Sequence, residues 1–119
     1  MTIRRIMPLV EATDPGASRA FYVDVIGLEV AMDMGWIVTF ASPNNATAQL
    51  SVMRRSPAPA VDPDISIEVS DVDACHGRAV AQGCAIVYPL TDEPWGVRRF
   101  FVREPNGKVI NVLSHRTAA

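Results

Sequence analysis

The sequence has no excess of either charge, because 11 Lys and Arg face 13 Asp and Glu for a formal net charge of −2. Without a basic field, neither nucleic acid nor an anionic membrane surface is an expected partner. No run of 18 apolar residues occurs, and the start lacks the charged n-region followed by an apolar h-region that marks a signal peptide, so we expect neither a membrane span nor a secretory signal. These absences predict a cytoplasmic protein.

Cysteine is also scarce, with Cys75 and Cys84 on either side of a predicted helix end. A disulfide between them is conceivable, but two thiols in an unsecreted chain are more often unpaired. Apolar residues make up 49% of the 119 residues and charged residues 20%, which is typical of a globular protein. We therefore expect a single domain over residues 1–119.

The first half of the chain reads as a strand, a helix and three further strands. Residues 3–11 are mostly apolar, with Pro8 as the only breaker. Asp14 followed by Pro15 predicts a helix start, because Asp accepts an unpaired amide and Pro has none to lose. Gly27 can take the left-handed conformation that ends a helix. Three strand-like runs follow, at residues 28–32, 36–41 and 47–53.

The second half repeats this order after a proline-rich linker over about residues 56–63. Residues 64–70 predict a strand, Asp71 a helix start and Gly83 its end. Three more strands are predicted at residues 85–90, 97–103 and 108–113. Such a repeat predicts an α+β fold of two βαβββ modules, at about residues 1–55 and 64–115, forming a cleft-shaped mixed sheet with helices on its outer face.

Alternation within the strands separates an apolar face from a polar one. The residues expected to pack on the second helix are Ile65, Ile67 and Val69. The residues expected on opposite, polar faces are Thr47, Gln49, Ser51, Asp64, Ser66, Glu68, Ser70 and Asn111. These polar faces either meet solvent, as one side of an antiparallel sheet often does, or line a shared binding cleft. We favour the cleft, because each sheet carries a helix on only one face.

Two segments carry a family resemblance. Residues 14–28, with Phe21-Tyr22 and Ile26-Gly27-Leu28, resemble the first-helix signature of the vicinal oxygen chelate superfamily, which includes glyoxalase I, extradiol dioxygenases and bleomycin-resistance proteins. Residues 94–100 and 104–107 resemble its second-module signature, particularly that of the bleomycin-resistance-like branch. The resemblance covers nearly the whole chain, and it implies a homodimer.

The resemblance also implies four cleft-facing metal positions, one on the first and one on the last strand of each module. Carried over by position, they fall on Met7, Gln49, Asp64 and Asn111. Family members use His or Glu there, and sometimes Gln. A thioether, two neutral amides and one carboxylate suit neither a hard divalent ion nor zinc or iron. We therefore expect no metal and no other cofactor.

Few other residues suggest chemistry. Glu68 shares a strand face with Asp64, so the pair could provide a general base, bind a cationic ligand or form an ordinary solvated edge. Glu68 is the weak catalytic candidate among these. His76 is expected on the surface of the second helix and His115 in a polar tail, and neither predicts a catalytic triad.

The remaining candidates are aromatic or basic. Trp36 opens a strand and is either a core residue or a ligand contact, whereas Trp95 lies in a Pro-Trp-Gly turn suited to stacking on a flat ligand. Arg98 shares a strand face with Phe100 and is expected to neutralise a ligand anion or to pair with Glu68.

The leading hypothesis is a small-molecule binding protein that sequesters, for example, an antibiotic or aromatic metabolite without a catalytic metal. The predicted ligand-binding residues are Trp36, Gln49, Asp64, Glu68, Trp95, Arg98 and Asn111. The alternative is a lyase, isomerase or dioxygenase with either a non-standard metal shell of Asp64, Glu68 and Glu11 or metal-free acid/base work by Glu68. A third class is a dimeric accessory domain whose cleft has no ligand.

Overall fold

A computed structural model describes residues 1–116, which fall into two compact units. The N-terminal unit is Ile6–Asp62. The C-terminal unit comprises Met1–Arg5 together with the chain from Pro63 onward, so the first strand begins in one unit and continues in the other.

The N-terminal unit orders its strands as β2, β3, β4 and β1. Their bounds are β1 Ile3–Glu11, β2 Glu29–Asp33, β3 Ile37–Ser42 and β4 Asn45–Met53. β1 runs parallel to β4, whereas β3 is antiparallel to both β2 and β4. The core contains Val38, Phe40 and Val52, with Tyr22 packed against it at a ring distance of 5.1 Å from Phe40.

The predicted first helix is not one regular α-helix. A 3₁₀ turn over Pro15–Ser18 precedes a π-helical segment over Ala20–Ile26. The predicted ends are correct, since the Asp14 carboxylate accepts from the Gly16 amide and Gly27 has a φ of 94°. The interior differs because aromatic and β-branched residues at 21–23 favour the α-helix weakly, and none of residues 20–26 is buried to hold a regular helix in place.

The C-terminal unit orders its strands as β5, β8, β7 and β6. Its elements are β5 Ile65–Val69, α1 Val72–Ala81, β6 Ile86–Asp92, β7 Val97–Arg103 and β8 Val109–His115. β5 is parallel to β8, and the other pairs are antiparallel. The Asp71 carboxylate caps α1 by accepting from the Ala74 amide at 3.0 Å, as its position predicts.

The core of the C-terminal unit lies between α1 and one face of its sheet. Val69, Val72, Phe100 and Val112 form this core. Ile67 packs against it, so the predicted burial of this strand face is confirmed for Ile67 and Val69. The α+β class and the repeated order of elements in mixed sheets are likewise confirmed. Within residues 1–116, no helix is both long and apolar enough to cross a membrane.

Both cysteines are free thiols. Cys75 is half-buried on α1, and Cys84 is exposed beyond the helix end. Burial raises the pKa of the Cys75 thiol, with the charge of Arg78 opposing this shift in part.

Candidate functional site

The candidate site is the face of the C-terminal sheet that lies opposite α1, called here the helix-free face. Ser66 of β5 and Asn111 of β8 are cross-strand neighbours on it. Both are buried, with Asn111 only 8% exposed, and the Asn111 Nδ2 donates to the Ser66 Oγ at 3.0 Å. The centre of this face is therefore polar but shielded from solvent.

A carboxylate with two basic partners lies beside this pair. The Glu68 side chain is 14% exposed and places its Oε1 2.7 Å from the Arg5 Nη2. Its Oε2 lies 2.9 Å from the Nδ1 of His115, which is 53% exposed. Burial by itself would raise the pKa of Glu68, but the His115 hydrogen bond and the Arg5 charge outweigh it, so this pKa is lowered. Glu68 is thus held ionised.

An aromatic cluster surrounds a guanidinium of β7, which lies across β8 from Glu68 on the same face. The Arg99 Cζ lies 4.9 Å from the ring centre of Phe101, 5.2 Å from that of Trp95 and 5.3 Å from that of Tyr88. Its Nη2 forms an ion pair with the Glu93 Oε2 at 2.8 Å, and the Glu93 side chain is 8% exposed. The aromatic contacts and the ion pair together stabilise this partly buried arginine.

Two polar atoms of this face have no hydrogen-bond partner. Among the side chains of residues 1–116, the buried atoms without a partner are the Arg99 Nε, a donor, and the Asn111 Oδ1, an acceptor. Phe101 pairs with Asn111 across β7 and β8, and Arg99 lies two residues before Phe101 on the same face. A donor and an acceptor are therefore anchored on adjacent strands.

In the N-terminal unit, the corresponding polar side chains have partners within the protein. The Ser51 hydroxyl lies 2.7 Å from that of Thr39 and contacts the Met7 Sδ at 3.4 Å. The Gln49 Nε2 donates to the Ala46 carbonyl at 2.7 Å. The side chains at both predicted metal positions of this unit, Met7 and Gln49, are therefore already in contact with other protein atoms.

The donor set does not fit a divalent metal. Met7 offers a thioether, and Gln49 and Asn111 offer neutral amides. The strand register places Ser66, not Asp64, beside Asn111. Within the described residues, no group of three or more His, Cys, Asp or Glu side chains is arranged to hold a metal ion. Hard cations need several oxygen ligands and charge, and zinc needs imidazole or thiolate.

The structure corrects three sequence-based expectations, two about partners and one about secondary structure. Asp64 lies before β5, and its carboxylate accepts from the Val109 amide at 2.9 Å, so it does not form a carboxylate pair with Glu68. Arg98 does not pair with Glu68, because it lies on the helix side and contacts Asp73 at 2.8 Å and Asp92 at 3.1 Å. His115 is not tail but the last residue of β8.

The other candidates lie as follows. Trp36 precedes β3 and is 48% exposed, so it is not a core residue, and Trp95 is 62% exposed in the turn between β6 and β7. His76 is half-buried on α1, with its ring 4.9 Å from that of Phe100.

Sequence reasoning missed the contributions of Arg5, Tyr88, Glu93 and Arg99. One signal was available, because Arg99 and Phe101 alternate with Arg98 and Phe100 and must face the opposite side of β7. Three other partners of Arg99 lie outside β7, namely Tyr88, Glu93 and Trp95, so alternation within the strand did not reveal the cluster.

Comparison with known proteins identifies the family. The profile of the Glyoxalase/Bleomycin resistance protein/Dioxygenase superfamily matches residues 5–112. The chain belongs to this superfamily. No curated protein matches the sequence.

Solved structures share the fold at low identity. A superfamily member from Vibrio splendidus 12B01 is 20% identical, with a TM-score of 0.71 over 95% of this chain and 99% of that one. Methylmalonyl-CoA epimerase from Mycobacterium tuberculosis is 19% identical, with a TM-score of 0.69 over 97% and 88%. A variant of homoprotocatechuate 2,3-dioxygenase from B. fuscum is 23% identical, with a TM-score of 0.71 over 98% of this chain and 34% of that one.

Proposed function

We propose that this superfamily member is a small-molecule binding protein whose ligand lies on the helix-free face, without a catalytic metal. The observation that carries the proposal is the pair of unpartnered buried atoms, Arg99 Nε and Asn111 Oδ1, on one face. Buried polar groups are normally hydrogen-bonded, and leaving them unpaired costs about 1–3 kcal/mol each. Both atoms are shielded from solvent, so a ligand must displace the groups that cover them before it can supply both partners and recover this free energy.

The surroundings of the pair support binding. Trp95 extends the aromatic cluster into solvent, so a flat molecule could stack on its exposed face. Sequestration needs affinity alone and is therefore compatible with a donor set that fits no metal. The proposed ligand is an antibiotic or an aromatic metabolite. We also propose a cytoplasmic location and, by family resemblance, a homodimer.

The test combines metal analysis with a thermal-shift screen of antibiotics and aromatic metabolites, on protein purified without chelator. We expect no stoichiometric metal and stabilisation by at least one compound, weakened in Trp95→Ala but not in Phe21→Ala. The second variant is the matched control, because it removes an exposed aromatic ring from the N-terminal unit. Stoichiometric metal with destabilisation on chelation would overturn the proposal.

A second candidate function is metal-free proton transfer, and it rests on the contact of 2.9 Å between His115 and Glu68. An exposed imidazole oriented by an ionised carboxylate is a common general base. The substrate would carry a hydrogen activated by a neighbouring carbonyl. In heavy water, NMR would then show protein-dependent deuterium uptake into ketone or thioester probes, and His115→Gln would abolish it. Uptake unchanged by that substitution would exclude this role for His115.

A further inference from the structure

The charges around the unpartnered pair are already matched. Glu93 forms an ion pair with Arg99 and is itself almost fully buried, so an anionic ligand would have to displace it. Glu68 likewise contacts Arg5 and His115, so both carboxylates of this face already have basic partners and neither is left to pair with a cationic ligand. An additional buried charge would carry a large desolvation penalty without a partner. The face therefore favours an uncharged ligand group.

The hydrogen-bonding needs of the pair specify that group further. The Arg99 Nε–H requires an acceptor, and the Asn111 Oδ1 requires an N–H or O–H donor. The Asn111 amide orientation is set by its Nδ2 bond to Ser66, which directs the oxygen away from that hydroxyl. Diagonal neighbours on adjacent strands are about 7–8 Å apart at the backbone, so two such side chains can reach one small group.

We propose that the helix-free face recognises a neutral amide edge, in which the ligand carbonyl accepts from the Arg99 Nε and the adjacent ligand N–H donates to the Asn111 Oδ1. A lactam or a carboxamide on a flat ring has this chemistry. Phe101 is the cross-strand partner of Asn111 and also stacks on Arg99, so it provides an apolar surface between the two polar contacts. This inference rests on the proposed function and narrows its ligand class.

The decisive comparison uses three related probes on the unaltered full chain. Quinolin-2(1H)-one presents both the carbonyl and the N–H. Its N-methyl derivative lacks the donor, and quinoline-2-carboxylate carries a charge. We would titrate each probe against ¹⁵N-labelled protein and follow the amide shifts. We expect saturable 1:1 binding of the lactam, about threefold to tenfold weaker binding of the N-methyl compound and weaker binding of the carboxylate.

Variants then locate the contacts. Asn111→Leu should reduce the affinity for the lactam to that for the N-methyl probe, and it should leave the affinity for the N-methyl probe unchanged. The difference between these two effects measures the contribution of the hydrogen bond to binding. Arg99→Lys keeps the charge but loses the Nε–H, and it should weaken binding of both neutral probes. Arg103→Lys is the matched control on β7, because its guanidinium donates to the Gly107 carbonyl instead. It should change nothing.

Three results would overturn the inference: equal binding of the lactam and its N-methyl derivative, tighter binding of the carboxylate, or no lactam binding. The comparison of probes needs no variant, so it stands even where Asn111→Leu fails to fold. If the lactam fails but another compound from the thermal-shift screen binds this face, only the amide assignment is wrong. If nothing binds, the proposed function fails with it.

Discussion

The substitution Glu68→Gln removes the charge of a shielded carboxylate while keeping its shape. The Arg5 guanidinium, which lies 2.7 Å from Glu68 in the unaltered protein, then keeps its charge beside a neutral amide. His115 likewise loses an ionic acceptor. Breaking a fully buried pair costs about 3–5 kcal/mol, whereas an exposed pair contributes about 0–1 kcal/mol. Glu68 is 14% exposed with partly exposed partners, so we expect a loss of about 2 kcal/mol at pH 7.

Thermal unfolding followed by circular dichroism measures this loss. A decrease of about 2 kcal/mol corresponds to a fall in Tm of about 6–10 °C for a chain of this size. The matched control is Glu11→Gln, because Glu11 pairs with Arg55 at the same 2.7 Å but both side chains are mostly exposed. The control should lose much less, because solvent and salt screen an exposed ion pair.

The pH dependence has a definite sign. The folded-state pKa of Glu68 lies below its ordinary value of 4.5, so ionised Glu68 stabilises the fold above about pH 4.5. That contribution disappears as the pH falls through the lowered pKa. The difference between unaltered protein and Glu68→Gln should therefore be largest near pH 7 and vanish in stronger acid. An equal loss in the Glu11→Gln control, or a difference independent of pH, would refute the reasoning.

Three further substitutions test the fold, each by the change in free energy of unfolding. Phe100→Ala should cost about 3–5 kcal/mol, because the ring is fully buried in the α1 core; a cost no larger than that of exposed Phe21→Ala would contradict this assignment. Asp71→Ala should cost about 1 kcal/mol by removing the cap of α1, and Asp24→Ala, which caps nothing, should cost much less. Gly27→Ala should cost about 1–2 kcal/mol, since its φ is 94° although space is open around it, and an unchanged Tm would show that this turn can relax.

The local pattern of the sequence was sufficient for the order of elements. Capping Asp residues, terminating Gly residues and period-two alternation depend on neighbours in the chain, and they correctly predicted β5, α1 and the burial of Val69. The π-helical segment over Ala20–Ile26 departs from the predicted α-helix. A regular α-helix there would depend on the packing of buried side chains, and none of residues 20–26 is buried.

The site depended on contacts between distant residues. Asn111 was identifiable from the sequence as the lone polar residue between Ile110 and Val112, and Trp95 from its turn. The partners of Glu68 lie 63 and 47 residues away, at Arg5 and His115, so only the strand order brings them together.

The sequence by itself therefore determined the α+β class and the repeated order of elements, since these follow from residue types and local spacing. The tertiary structure decided which charges are matched and which polar atoms are not. Cross-strand register set Ser66 beside Asn111, and the strand order brought Arg5 and His115 to Glu68. Those pairings join residues 45, 63 and 47 positions apart in the chain, and no local pattern encodes them.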